Sequence, residues 1–199
     1  MSKGSYHHGD LRSALLEVTA QLVREKGARG FSVSEAARRV GVSIAAPYRH
    51  FDDREAMLAA VATRGFAELQ QVLDGIADPA DPVARAVATA EVYVDFARAD
   101  TARFEVMFAA GIDKERHPEL LECAGQVQSR LQDALRELVG DDAAGLVRRA
   151  AELWSIAHGV AALLVEHRLA HVVGAAGADT VVAGAVRAWA RGLDSGSTG

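Results

Sequence analysis

The stretch of sequence that decides the fold runs from Phe31 to Phe51 and reads FSVSEAARRVGVSIAAPYRHF. Apolar residues recur at helical spacing in its first half, and this pattern stops at Gly41. A second short helix is expected from Ile44 to Phe51, because the Ser43 hydroxyl can accept an unpaired N–H group of its first turn. Two short helices joined by a three-residue turn that contains glycine are typical of a helix-turn-helix.

Pro47 lies inside this expected helix, where a proline removes one N–H group and usually breaks the hydrogen-bond ladder. Since it follows the Ser43 cap by one turn, only the bond to the cap carbonyl would be lost. We therefore expect the helix to persist with a tight first turn.

Helical spacing of apolar residues continues on both sides of this stretch, and no segment alternates as a half-buried strand would. A first helix is expected from an Asp10 cap to Gly27, and a second follows a Ser32 or Ser34 cap and ends at Gly41. Further helices are expected at about Arg54–Leu73, Val83–Ala99, Thr101–Ala109, Pro118–Leu138, Ala143–His171 and Ala178–Leu193. The sequence therefore predicts an all-α fold, with a three-helix domain at residues 1–54, a helical bundle at 55–194 and a disordered Ser/Gly tail at 195–199.

Charge is distributed unevenly along this chain. Residues 1–54 contain nine Lys or Arg and six Asp or Glu, whereas the remainder is acidic and the whole chain has a net charge of -5. A basic end on an acidic body suits a protein that contacts a polyanion with that end. Chance segregation of surface charge is the alternative.

Composition also limits the compartment and the chemistry. The single cysteine, Cys123, excludes an internal disulfide and fits a reducing compartment. The polar segment Met1–Arg12 does not resemble a signal peptide, and no apolar run approaches the roughly 20 residues that span a bilayer. We expect a cytoplasmic protein without a membrane partner. Since phosphate-binding loops and nucleophile elbows are lacking, we expect no catalytic residue and no cofactor.

The motif SEAARRVGVS at Ser34–Ser43, followed by Tyr48-Arg49-His50-Phe51 and Arg54-Glu55, resembles the helix-turn-helix of the tetracycline repressor family. The likeness covers about residues 8–60. It implies a ligand-responsive transcriptional regulator, generally a repressor, that binds a palindromic operator as a homodimer. It also implies that the third helix lies in the major groove and that Tyr48, His50 and Arg54 contact phosphates.

The residues themselves support DNA contact by this helix. Tyr48, Arg49 and His50 carry donors that can grip phosphate oxygens, and Arg49 is the best donor for a guanine edge. The first turn offers no side-chain hydrogen bonds and could meet only thymine methyls, whereas the family more often has a polar residue near Ala46. The expected DNA-binding residues are Ser34, Ser43, Ile44, Ala45, Ala46, Tyr48, Arg49, His50 and Arg54.

Several of these residues have a simpler interpretation. Tyr48 and Phe51 could be core aromatics, and His50 could be an inert surface histidine. The segment before Leu11 could be an ordinary lead-in to the first helix, or an arm that reaches the DNA with Lys3, His8 and Arg12.

A second motif, Leu153-Trp154-Ser155-Ile156-Ala157-His158-Gly159-Val160, resembles a Trp-x-x-x-His-Gly stretch in the regulatory domain of one branch of the family. Trp154 and His158 share one helical face, so they could contact a ligand or only pack. Aromatic and sulfur-bearing residues in the middle helices predict a mainly apolar pocket for an unknown small-molecule effector. Its expected lining is Phe96, Phe104, Met107, Phe108, Cys123, Trp154 and His158.

The last two long helices each carry an apolar stripe, which predicts a four-helix dimer interface with their symmetry mates. The expected interface residues are Ala157, Leu164, Val182, Val186 and Trp189. The alternative is that both stripes face the core of their own chain. His167 and His171 are four residues apart, but two histidines without a third ligand favour surface residues over a metal site.

Two classes of function remain open at this point. The first is a ligand-gated DNA-binding regulator. The second is a helical-bundle small-molecule binding protein or enzyme whose N-terminal unit is merely structural. The donors of Tyr48, Arg49 and His50, together with Arg54, favour the first, because a structural unit would not need them.

Overall fold

The computed structural model describes residues 8–77, 79–108, 112–174 and 177–195. These residues form helices without a β-strand, which confirms the predicted all-α class. The described α-helices are α1 (His8–Gly30), α2 (Val33–Val40), α3 (Arg54–Asp74), α4 (Pro82–Ala99), α5 (Thr101–Met107), α6 (Pro118–Val139), α7 (Ala143–Val165), α8 (Ala170–Val173) and α9 (Gly177–Ser195). Of the tail predicted at 195–199, Ser195 belongs to α9 and the rest lies outside the described residues.

The helices form two compact units. The first comprises the described residues up to Phe66 together with Thr101–Glu122, and the second comprises Ala67–Asp100 and the described residues from Cys123 onward. The first unit is therefore larger than the domain expected at residues 1–54. The added residues are the first half of α3, the whole of α5, the described residues between α5 and α6, and the start of α6.

The first unit has its own apolar core, to which each of its helices contributes. Its buried side chains include Leu15, Leu22, Phe31, Ala36, Phe51, Met57, Val61, Phe66, Phe104 and Met107. Gly65 allows α3 to approach α5 closely, because a Cβ at this position would lie 2.7 Å from the sulfur of Met107.

Gly41 closes α2 with φ 79° and ψ 28°, as the sequence predicts. Gly27, predicted to end α1, interrupts it with φ 72° and ψ 165°, and helical residues continue to Gly30. Asp10, in contrast, lies inside α1 and not at its cap, so that prediction was wrong. The capping rule identifies a side chain that can cap a helix, but acidic residues are also favoured within the first turn.

The left-handed backbone of Gly41 leads to a test of stability. Gly41→Ala is expected to lower the free energy of unfolding by about 1 kcal/mol, because a Cβ is disfavoured at positive φ although no atom lies within 4 Å of it. Gly125→Ala is the matched control, since Gly125 is exposed within α6 and also has open space around it. The control should raise stability by roughly 0.5–1 kcal/mol. Urea denaturation measures both changes, and equal signs would contradict this account.

The helix expected from Ile44 to Phe51 is the main correction to the predicted fold. The structure has a turn followed by a 3₁₀ helix at Pro47–Arg49. The N–H of Ala46 donates to the Ser43 carbonyl at 3.0 Å, and the N–H of His50 donates to Pro47 at 2.9 Å. Since Pro47 has no N–H to offer the Ser43 carbonyl, the donor one residue earlier takes that acceptor, and the whole segment tightens.

The second unit is built around α4, α7 and α9, which pack on one another. Carboxylate caps start two of them: Asp81 accepts the N–H groups of Val83 and Ala84, and Asp142 accepts that of Gly145. The core of the unit includes Val87, Tyr93, Val94, Leu131, Leu153, Ala157, Val182 and Val186.

α7 ends at Val165, although the sequence predicted a helix that continues to His171. The chain turns at His167, which has φ 57°, and the N–H groups of Arg168 and Leu169 both donate to the Leu163 carbonyl. The three successive exposed polar residues 166–168 offer no apolar face that could keep the helix packed on its neighbours.

His167 and His171 consequently do not share one helix, which removes the spacing that had suggested a metal site. Among the described residues, no group of three or more His, Cys, Asp and Glu could hold a metal ion. The described helices also include none that is both long and apolar enough to cross a membrane.

Candidate nucleic-acid interface

The segment Ser43–His50, called the recognition turn below, presents most of its side chains to solvent. Ile44 is 63% exposed and Tyr48 is 53% exposed. Ser43, Ala45 and Arg49 are also exposed, whereas Ala46 and His50 are half-buried. The exposure of Tyr48 excludes its interpretation as a core aromatic, while Phe51 does lie in the core.

Phe51 and Pro47 hold this turn against the first unit, and both are buried. The Phe51 N–H donates to the Pro47 carbonyl at 3.0 Å, and the guanidinium of Arg12 lies 5.3 Å from the centre of the Phe51 ring. Burial of these two residues leaves Tyr48 and Arg49 facing outward. Within the described part of the chain, neither Tyr48 nor Arg49 has an internal side-chain hydrogen bond or ion pair, so their donors are available to a partner.

Two pairs of opposite charges connect α1 and α2. Lys26 pairs with Glu35 at 2.7 Å, and Arg39 donates to Glu25 through two nitrogen atoms. The hydrogen bond from Arg39 lowers the pKa of Glu25, and that from Lys26 lowers the pKa of Glu35. The exposed Arg49 takes part in no such pair among the described residues. Its positive charge on the recognition turn is therefore not neutralised by a carboxylate of these residues.

Two predicted DNA contacts have intramolecular partners in the structure. The half-buried Ser34 hydroxyl lies 2.9 Å from that of Ser32. Arg54 donates from Nε to the Phe31 carbonyl at 3.1 Å and from Nη2 to the carbonyls of Ala28 and Arg29. Arg54 therefore fastens the C-terminal end of α1 and the residue that follows it. Its phosphate contact stays a prediction, as does that of Ser34.

In the second unit, Trp154 and His158 meet a third residue that the sequence analysis missed. The indole Nε1 of Trp154 lies 3.2 Å from the Tyr93 hydroxyl, which lies 3.0 Å from Nδ1 of His158. Because an indole can only donate, the buried hydroxyl accepts from Trp154. The direction of its bond with Nδ1 of His158 depends on the tautomer of the imidazole. Tyr93 is 61 residues from Trp154 in sequence, and no local pattern connects the two.

Burial lowers the pKa of His158 below its ordinary value of 6.5, which gives a stability test. The folded protein disfavours the protonated ring, so this contribution to the free energy of unfolding is complete above pH 6.5 and falls as the pH decreases toward the folded-state pKa. The neutral variant His158→Gln lacks this titration. We expect wild-type stability to fall more steeply than that of the variant between pH 6.5 and 5, as measured by urea denaturation. Parallel curves would contradict this assignment.

The residues predicted to line one pocket fall into both units. Phe104, Met107 and Phe108 belong to the first, where the Phe108 ring lies 5.0 Å from Phe104 and 5.5 Å from Phe66. The other four belong to the second unit: Phe96, Cys123, Trp154 and His158. A shared pocket stays a prediction.

The predicted dimer interface needs correction. Ala157 is 2% exposed and Val182 and Val186 are 0% exposed in the single chain, so these three side chains face their own core. Leu164 and Trp189 are half-buried, and Trp189 donates from Nε1 to Glu152 at 2.8 Å. An apolar stripe shows that a helix packs on something, but it does not distinguish its own chain from a second copy.

Helix α2, the left-handed Gly41 and the exposed recognition turn with its short 3₁₀ helix together define a helix-turn-helix DNA-binding protein. The family of bacterial regulatory proteins called tetR matches residues 15–61, and the tetracyclin repressor-like C-terminal domain matches residues 86–188. The chain belongs to the TetR family and is a DNA-binding transcriptional regulator, not an enzyme.

Individual proteins agree with this assignment. Uncharacterized HTH-type transcriptional regulators of Mycobacterium tuberculosis and Mycobacterium bovis are 29% identical over 129 residues, covering 63% of this chain and 66% of theirs. The match thus spans just under two thirds of those relatives. A protein of unknown function from Rhodococcus sp. RHA1 is 30% identical with a TM-score of 0.78, covering 96% of this chain and 99% of its own. A transcriptional regulator from Rhodococcus sp. RHA1 shares the fold at 22% identity and a TM-score of 0.70, covering 93% and 96%.

Proposed function

We propose that this protein is a ligand-responsive repressor that binds a palindromic operator as a homodimer in the cytoplasm. The observation that carries the proposal is the exposed recognition turn, on which Tyr48 and Arg49 point to solvent without internal partners among the described residues. A turn that served only the fold would not need an exposed phenol and an exposed guanidinium without internal partners. The alternative of a structural N-terminal unit on a binding protein or enzyme does not account for them.

In this proposal the turn contributes two kinds of contact. Tyr48, His50 and Arg54 hold phosphate oxygens and fix the register of the protein on the duplex, and Arg49 reads a guanine edge. Ile44 and Ala45 are exposed at the start of the turn, where they can meet thymine methyl groups. Since these two residues offer no side-chain hydrogen bonds, part of the selectivity comes from DNA shape.

The homodimer would use the outward faces of α7 and α9 in place of the buried stripes. Val147 and Leu163 are large exposed apolar residues on α7. The exposed side of α9 carries the small residues Gly184, Ala188 and Gly192, which permit close approach of another helix. A two-fold axis through these faces would place the two turns in successive major grooves, which requires a separation of about 34–36 Å.

The ligand response would belong to the C-terminal domain that matches residues 86–188. A small molecule bound there would lower operator affinity by disfavouring the separation that both turns need. The proposed lining includes Trp154 and His158, whose bond to Tyr93 fixes the orientation of the imidazole.

Binding isotherms of two variants test this proposal. The operator is first isolated by genomic SELEX, and wild type, Tyr48→Phe and Arg49→Ala are then titrated against operator and random duplexes at several salt concentrations. Tyr48→Phe is expected to weaken both complexes by similar factors, because a phosphate contact carries no sequence information. Arg49→Ala is expected to cost about 1–3 kcal/mol on the operator and less on random DNA. Equal losses would make Arg49 a phosphate contact, and no loss in either variant would refute DNA recognition by this turn.

A further inference from the structure

The side chain of Glu55 collects three donors from a distant segment of the first unit. Its Oε1 accepts the backbone N–H of Asp113 at 3.0 Å and Nε2 of His117 at 3.2 Å, while its Oε2 accepts Nη1 of Arg116 at 3.0 Å. Only 23% of the Glu55 side chain and 18% of the His117 side chain are exposed. The Arg116 side chain is 56% exposed, so its bond is a solvent-screened surface ion pair, and only the contact with His117 is partly buried.

A second carboxylate joins the same group of contacts. Asp53 accepts the N–H of Ala56 at 2.7 Å and thereby caps the first turn of α3, and it also accepts Nη2 of Arg116 at 3.4 Å. The bond from Ala56, followed by the contact with Arg116, lowers the pKa of Asp53. We call Asp53, Glu55, Asp113, Arg116 and His117 the Glu55 clamp.

The clamp lies at a short distance along the chain from the recognition turn. The turn ends at His50, the buried Phe51 follows, and Asp53 and Glu55 come next. On the other side of the clamp, α6 begins directly after His117. The clamp therefore joins the exit of the recognition turn to the first residue of a 22-residue helix.

Beside the clamp, an open groove of about 420 Å³ runs along these two segments. It is lined by Ala56, Ala59 and Ala60 of α3, by His50, Phe51 and Asp52 at the exit of the turn, and by Arg116–Leu120. Small alanine side chains leave this space without filling it. Leu120 at the start of α6 and Phe51 at the end of the turn are both buried, so the polar clamp adds to an apolar core on both sides of the groove.

We propose that the Glu55 clamp positions the recognition turn for DNA binding, with Glu55 and Arg116 as positioning residues that do not touch DNA. The clamp fixes the first turn of α3 and so limits the conformations of the residues that lead into it from the turn. A turn held in its binding conformation loses less conformational freedom when it meets DNA, and its affinity is correspondingly higher. This inference rests on DNA contact by the recognition turn, which the variants of Tyr48 and Arg49 test separately.

Simple electrostatics makes the opposite prediction for Glu55, which permits a sharp test. Removing a carboxylate from a unit that binds a polyanion should raise affinity for DNA slightly. If Glu55 instead positions the turn, Glu55→Gln lowers affinity, because the amide NH₂ group faces donors where a carboxylate oxygen accepted them. The sign of the change in DNA affinity therefore distinguishes a positioning role of Glu55 from a purely electrostatic effect.

Glu115→Gln is the matched control. Glu115 is exposed in the same 113–117 segment, its carboxylate takes no part in the clamp, and its substitution removes the same charge. On the operator obtained by SELEX and on random duplexes, Glu55→Gln is expected to bind about tenfold more weakly than Glu115→Gln. An affinity of Glu55→Gln equal to or above that of Glu115→Gln overturns the proposal.

Arg116→Gln tests the other side of the clamp. A positioning role predicts a similar loss of affinity with an unchanged dependence on salt, whereas a lost phosphate contact would reduce the slope of log K against log [salt] by about one unit. The double variant Glu55→Gln/Arg116→Gln should be no weaker than the weaker single variant, since both break one connection. A reduced slope, or fully additive losses, would overturn the proposal.

A general loss of folding is separated from a loss of positioning by two measurements on the same samples. Far-UV circular dichroism reports the helix content, and stoichiometric titration of a known amount of operator duplex with each variant at low salt gives the fraction of protein competent to bind. The proposal requires the loss of affinity to persist in variants with wild-type helix content and full competence. If affinity falls only in proportion to the folded fraction, Glu55 and Arg116 stabilise the unit without positioning the turn.

Discussion

Val186→Asp is expected to unfold the second unit, and it should not give a folded monomer. The Val186 side chain is 0% exposed on α9, which packs on α4 and α7. A carboxylate placed there loses its hydration and finds no partner, which costs on the order of 4 kcal/mol or more. Because many domains are stable by only about 5 kcal/mol, a loss of this size leaves the unit with little or no net stability. Urea denaturation followed by circular dichroism measures this loss.

Ala188→Asp gives the contrasting result two residues along the same helix. Ala188 is exposed in the single chain, so a carboxylate there should change the stability of the fold by less than about 0.5 kcal/mol. If the outward face of α9 meets a second copy, the same charge is buried without a partner in the dimer and drives it apart. Sedimentation velocity should then show a folded monomer. A dimer in Ala188→Asp would place the interface on another face, and a stably folded Val186→Asp would contradict the packing of α9.

Phe51→Ala is expected to cost about 3–5 kcal/mol of stability and to abolish operator binding, the second large effect. Phe51 is 5% exposed and is the residue through which the end of the recognition turn is anchored in the core. Its removal leaves a cavity beneath the turn and takes away the carbon surface that orients Tyr48 and Arg49. Chemical denaturation gives the loss of stability, and binding is measured at low temperature where the variant is still folded.

Arg12→Ala separates the two contributions of this ring. It removes the guanidinium that lies 5.3 Å from the ring centre but leaves the ring in the core, and should cost only about 0.5–1 kcal/mol. If Phe51→Ala costs no more than Arg12→Ala, the ring is not the anchor of the turn.

The sequence predicted those features that depend on local rules. Gly27 marks the break in α1 and Gly41 the end of α2, because only glycine adopts positive φ without strain. The 3₁₀ form of Pro47–Arg49 was missed because the lost N–H does more than remove one bond. The Ser43 carbonyl accepts instead the N–H of Ala46, one residue earlier, and this shorter bond changes the form of the whole segment.

The features that the sequence did not reveal depend on residues far apart in the chain. Tyr93 completes the contacts of Trp154 and His158 from another helix, and Glu55 meets partners about 60 residues away. The apolar stripes on α7 and α9 could be identified from the sequence. The surface that covers them could not, because burial against α4 and burial against a second copy require the same apolar residues. The break of α7 at His167 lacks a glycine or proline that would mark it.

The bonds of Arg54 restrict what this arginine can offer to DNA. A guanidinium grips a phosphate with two parallel N–H groups, either along the edge of Nε and Nη2 or across the end formed by Nη1 and Nη2. The backbone carbonyls of Phe31 and Ala28 already occupy the first edge. A phosphate and the C-terminal end of α1 are therefore competitors for the same donors, and a two-point grip along that edge exchanges two internal hydrogen bonds for two external ones. A lysine at this position could not serve the helix end in the same way, because its ammonium lacks the planar fork that reaches both carbonyls.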